Sequence, residues 1–131
     1  MHRAWPLLLV ALIAPLPGLA DPLAGVWRTQ AGRDGGFGEV TITPCADRLC
    51  GTVTRTFDAA GRETRGPDLG AEILRDLRGD GGGSYPEGTI TDPESGRSYR
   101  ARLRLTGPDR LEVGGCIMVF CRTAGTWQRV E

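Results

Sequence analysis

An all-β fold, an antiparallel sandwich or barrel of about eight short strands, is predicted by three observations. Arg97–Leu105 alternates without a break: Tyr99, Ala101, Leu103 and Leu105 on one side, Arg100, Arg102 and Arg104 on the other. Glycine and proline punctuation, 20 Gly and 9 Pro in 131 residues, separates short runs rich in Val, Ile, Leu and Thr. Four cysteines stand as two Cys-x4-Cys pairs, a device that helps a single small core hold together. The length is a prior for one domain. Sixteen basic residues, all arginine, balance 16 acidic ones, so there is no net positive charge of the kind a nucleic-acid partner calls for.

The chain opens with an address. Met1-His2-Arg3 is a positive start, Leu7–Ala14 is apolar, and Gly18-Leu19-Ala20 ends in small residues. This pattern predicts a secretory signal peptide, residues 1–20, cleaved after Ala20. The apolar run is too short to cross about 30 Å of hydrocarbon, so no transmembrane segment is expected in the mature chain. Residues 21–131 then form one domain, exported, with the periplasm as the expected compartment and the extracellular space as the alternative.

Within that domain Gly25–Thr29 is the first strand-like run, followed by a turn at Gly32–Gly36. Phe37–Thr43 alternates, with Val40 and Ile42 on one face. Leu49–Phe57 is a third run. Asp58–Gly70 reads as a polar loop. Ala71–Arg78 is ambiguous: Ile73, Leu74 and Leu77 fit a helical stripe, yet the run is short and bounded by glycine, and a strand is expected. Gly79–Gly83 is a flexible connection, without the lysine of a phosphate loop. Tyr85–Thr91 is strand-like. Asp92-Pro93-Glu94-Ser95-Gly96 is a turn, with Asp bonding its own backbone and Pro presetting φ; its two carboxylates are too few for calcium. Leu111 and Val113 continue the alternation, and Arg122–Val130, with Trp127, is the last run.

Export implies an oxidising compartment, where an even cysteine count reads as disulfides rather than a zinc site. Chain entropy gives about 2 kcal/mol for closing each local loop and about 4 kcal/mol for a crosslink over roughly 70 residues. Hairpin geometry favours the local pairs, because cross-strand partners already meet. Cys45–Cys50 and Cys116–Cys121 are therefore expected, as directly opposed partners flanking four-residue loops.

Chemistry is limited by what the mature chain lacks. Its only histidine, His2, leaves with the leader, and lysine is absent. Ser-His-Asp and Cys-His pairs, Ser-Lys dyads, Schiff bases and histidine-ligated metals are excluded. Carboxylate-pair hydrolysis survives on paper, in a chain short for both scaffold and cleft. No catalytic residue, metal or cofactor is expected.

The sequence Ile117-Met118-Val119-Phe120 between the last two cysteines stands out, since loop tips are normally solvated. Such a tip either folds over the barrel end as a plug, forms a lip at a ligand mouth or partner contact, or touches a membrane. The arginine row 100/102/104 is expected to be a solvated outer face that discourages edge pairing, with an anion or partner site as the alternative.

Several segments together resemble a family of exported bacterial proteins, domain of unknown function 2147. They are Gly25-Val26-Trp27-Arg28-Thr29; Ile42-Thr43-Pro44-Cys45 with Leu49-Cys50-Gly51; Gly88–Pro93 with Gly96 and Tyr99; and Leu111-Glu112-Val113 through Cys116 and Cys121-Arg122-Thr123 to Trp127-Gln128-Arg129. The resemblance covers nearly the whole mature chain. Tyr85 stands where the family usually has Trp, and Asp58–Leu69 is only loosely similar. The same residues are similar to lipocalin-like up-and-down barrels, where an Arg near the last strand covers the Trp of an initial Gly-x-Trp. That resemblance implies structural roles for Gly25, Trp27 and Arg129 (or Arg122), with Trp127 in the closing strand. A guanidinium over an indole contributes about 0.5–2 kcal/mol.

The function expected from this reading is non-catalytic binding of a small apolar or amphipathic ligand at a barrel mouth, an eight-stranded barrel having room for one small ligand. The expected contacts are Ile117, Met118, Val119 and Phe120, with Tyr85 and Tyr99. The alternative is a filled barrel that docks another envelope protein.

Overall fold

The computed structural model of the chain describes residues 3–7, 9 and 20–131. The expected leader lies largely outside them. Among the described residues, regular structure is all strand: β1 (Gly25–Arg28), β2 (Phe37–Cys45), β3 (Arg48–Phe57), β4 (Glu63–Thr64), β5 (Glu72–Arg78), β6 (Ser84–Tyr85), β7 (Glu87–Thr91), β8 (Ser98–Gly107), β9 (Arg110–Ile117) and β10 (Phe120–Arg129). The pairings are antiparallel, and the order β2-β1-β10-β9-β8-β7-β5-β3 returns to its start through a β2–β3 ladder. Eight strands thus close into a barrel, and each is paired on both sides. β4 and β6 are short additions, on β3 and β8.

Period-two alternation sets most of the interior. Val40, Ile42, Ala101, Leu103, Leu111 and Val113 are buried, while Arg100, Arg102 and Arg104 are exposed. The fully buried side chains Trp27, Leu23, Leu74 and Leu77 complete the packing. The helix-like spacing of Leu74 and Leu77 has a specific cause. A bulge lies between Arg75 and Arg78, with Asp76 in the left-handed region at φ 54°. The extra residue turns both leucines inward, so a strand shows a spacing of three. Pro86 splits the expected Tyr85–Thr91 run: Tyr85 pairs with Leu103 on β8, and pairing with β5 resumes at Glu87. The expected loop at Asp58–Gly70 contains β4.

Two disulfides, Cys45–Cys50 and Cys116–Cys121, staple the two hairpins. Both turns are tighter than the spacing suggests. Cys45 faces Arg48 across a two-residue turn, so the bond to Cys50 runs diagonally rather than between opposed partners. Cys116 does face Cys121, and Ile117 faces Phe120, leaving Met118-Val119 as the turn. Ala46 and Met118, each first in its turn, are left-handed at φ 54° and 56°, where glycine or asparagine is usual.

Strand direction distributes the connections between two poles. The 45–48 turn, the 79–83 connection and the 107–110 turn lie at the pole where β1 begins and β10 ends. The 29–36, 58–71 and 92–97 connections and the 117–120 hairpin lie at the other.

Candidate functional site

The first pole is closed by the chain's own ends. Leu23 is fully buried, and the Trp27 indole Nε1 donates to its carbonyl at 2.9 Å. The Arg129 guanidinium lies 4.3 Å from the Trp27 ring centroid, and Trp27 and Arg129 are register partners. That guanidinium donates to the carbonyls of Pro108 and Ala24, both at 2.9 Å, and to that of Pro22. Gly25 accommodates this approach: at φ 139° a Cβ there would fall 2.5 Å from Arg129 Nη1. Arg122 is exposed near the opposite pole and plays no part here. Trp127 is buried in the core.

Tyr85 belongs to this closed pole. Its hydroxyl donates to the Asp21 carboxylate. Burial and the adjacent carboxylate push the phenol above its usual range, because both oppose a negative oxygen. Tyr85 lines a recess with Asp21, Pro22, Asp47, Arg48 and Arg78, and is therefore not gathered with the 117–120 hairpin as the sequence reading expected. Tyr99 faces Ile90 across the β7–β8 ladder, half-buried.

The second pole is open. A cleft of about 660 Å³ lies among Thr29, Gln30, Phe37, Val53, Thr56, Phe57, Gly66, Pro67, Ile73 and Pro93. Buried Val53 and Ile73 give it an apolar floor. Thr56 shapes its wall, donating from Oγ1 to the Thr64 carbonyl at 2.8 Å and accepting from the Gly66 N–H at 2.9 Å. Asp34 and Asp58 stand on its rim, their carboxylates accepting backbone N–H groups of their own turns.

Beside the cleft, Phe37 and Phe57 stack at 4.9 Å, with Arg28 over one ring and Arg55 over the other at 5.0 and 4.9 Å. Arg55 also reaches Glu39 at 3.3 Å and Glu63 at 3.0 Å, which holds the Glu63 carboxyl below its ordinary range. Neither the cleft nor this cluster is evident from the sequence. The β2–β3 bulge between Glu39 and Val40 brings Phe57, rather than Thr56, opposite Phe37. The two phenylalanines at the outer ends of one hairpin were the available signal.

The Ile117–Phe120 hairpin stands at the open pole and does not plug it. These four side chains are 60%, 83%, 84% and 78% exposed. The Arg100 guanidinium donates to the Met118 carbonyl at 3.0 Å, bracing the tip. The edge-protecting explanation of the arginine row also falls, because β8 is paired on both flanks and has no edge to protect.

A closed eight-stranded barrel with one sealed pole and one open pole is a lipocalin-like fold. The family described as "Uncharacterized protein conserved in bacteria (DUF2147)" matches residues 25–129, and the chain belongs to it. It is similar in fold to a solved structure titled "Protein HP1028 from the human pathogen Helicobacter pylori belongs to the lipocalin family", with 20% identity, 83% of each chain covered and a TM-score of 0.65. The curated proteins offer no match. Among the described residues, no helix is long and apolar enough to cross a membrane.

Proposed function

We propose that this is an exported, non-catalytic binding protein that holds one small amphipathic molecule in the cleft at its open pole. The observation that supports this most is the asymmetry of the barrel. Leu23, Trp27 and Arg129 close the core at one pole, where the recess beside Tyr85 measures about 490 Å³, and the other pole holds the larger cleft of about 660 Å³ over the apolar floor of Val53 and Ile73. Apolar surface with a few polar rim groups is the ordinary character of a small-molecule site. In this reading the ligand's tail rests on Val53 and Ile73, and its polar end meets Thr29, Gln30 and the rim. Tyr99 and the 117–120 hairpin border the same pole and act as its outer lip. Cleavage after Ala20 releases residues 21–131 as a single domain into the periplasm.

Native mass spectrometry of the protein recovered from the exporting cell, followed by titration with lysophospholipids and long-chain amines and acids, tests the proposal. A one-to-one adduct is expected. Pro67→Trp, an exposed rim position, should abolish it while leaving the melting temperature unchanged. Absence of any adduct or titratable probe would overturn it. The packed interior supports a second reading, a filled barrel that docks another envelope protein, and a protein that stays empty across the whole panel would favour that reading.

A further inference from the structure

The 117–120 hairpin is built in a way that folding alone does not call for. Its four apolar side chains project into solvent at the very tip of a hairpin. Met118 occupies a left-handed position, φ 56°, at the head of a two-residue turn, where a side chain is penalised and glycine would be free of it. The disulfide beneath and the Arg100 bond to the Met118 carbonyl hold this tip out rather than letting it fold back.

On β8, β9 and β10 its surroundings are cationic, while the acidic residues Asp34, Asp58 and Glu94 of this pole line the cleft. Arg100 and Arg102 stand exposed on the outer face of β8 next to the tip, and Arg122 follows Cys121. Among the described residues none of these three lies within 4.0 Å of a carboxylate, unlike Arg28, Arg48, Arg55, Arg75 and Arg129. Glu112, opposite Arg104 and two residues further from the tip than Gly114, is the one carboxylate on β8, β9 and β10. A convex apolar wedge whose basal guanidinium groups have no carboxylate partner among the described residues does not fit a flat solvated surface. It is complementary to the boundary of an anionic bilayer, where acyl chains accept the wedge and phosphates meet the cations.

The geometry points to the Cys116–Cys121 hairpin as a membrane-interface contact: Ile117, Met118, Val119 and Phe120 enter the headgroup boundary, and Arg100, Arg102 and Arg122 pair with anionic lipid phosphates. This inference is independent of the cleft reading, since it rests on the hairpin and its arginines alone. If both hold, the cleft opens toward the lipid surface from which an amphiphile would be drawn.

Co-sedimentation of the oxidised protein with vesicles of phosphatidylglycerol and phosphatidylcholine, against phosphatidylcholine alone, tests it without any cleft ligand. Partition onto the anionic vesicles is expected, falling as salt is raised. Phe120→Asp should lower it by about tenfold or more. Arg100→Gln with Arg102→Gln should remove the preference for anionic lipid. Met118→Gly, which relieves the turn, should bind less while folding at least as well. In a Phe120→Trp variant, emission should shift to the blue on binding and be quenched by lipids labelled near the headgroup. No partition onto anionic vesicles, or partition unchanged by Phe120→Asp, would overturn the inference. So would a dimer in vesicle-free buffer that Phe120→Asp dissolves, because the tip would then belong to a second copy of the chain.

Discussion

The Tyr85 hydroxyl donates to the Asp21 carboxylate, joining the segment before the first strand to the break between β6 and β7. Burial and that carboxylate hold the phenol protonated above its ordinary value near 10. A folded-state pKa raised above the unfolded one gives stability that is fully present below about pH 10 and is lost as pH rises beyond it. Melting temperature should therefore fall through the alkaline range, and Tyr85→Phe should flatten that fall. Phenolate absorbance should show Tyr85 ionising above the ordinary tyrosine range. Equal alkaline slopes for the two proteins would refute this.

Arg129 bonds three backbone carbonyls and covers Trp27. Removing a hydrogen-bonded, partly buried guanidinium and its contact with an indole is expected to lose on the order of 3 kcal/mol. Urea unfolding of Arg129→Leu measures it. Arg122→Leu, at the other pole, should be close to neutral, and the contrast separates a sealing role from a general loss of charge.

The two disulfides close loops of equal length, since both have a sequence separation of 5. Replacing either pair by alanine should remove about 2 kcal/mol in chemical denaturation. A loss well beyond that for the Cys116–Cys121 pair, of which Cys116 is buried, would mean that its sulfurs also hold packing in place.

Met118→Gly removes a side chain from a left-handed position and should stabilise the hairpin by up to about 1 kcal/mol. The same substitution made at Ala46, which has φ 54° in the other turn, should act in the same direction. A decrease in melting temperature for both would show that the turn geometry is not what limits the hairpins.

Much of the fold was legible because alternation is local. Arg97–Leu105 displays its inner and outer faces in the chain itself, and the cysteine spacings marked both stapled hairpins. What stayed hidden depended on single inserted residues. The bulge at Asp76 disguised a strand as a helical stripe, and the bulge in β2–β3 decided which aromatic faced Phe37. Poles are less legible still. Tyr85 and the 117–120 hairpin carry similar chemistry in the sequence, but the direction of the strands that bear them puts them at opposite ends. The exposed tip could be named from its residues, whereas the cleft of Thr56, Gly66 and Ile73 required the loop between β3 and β5 to be folded.

Because Asp21 and Glu131 both lie at the sealed pole, attachment at either residue orients the molecule the same way. A tag, a solid support or a fused reporter placed there leaves the cleft and the apolar hairpin facing outward. Immobilised protein should then behave toward amphiphiles and vesicles as the untethered protein does, whereas coupling through the 58–71 connection should mask both.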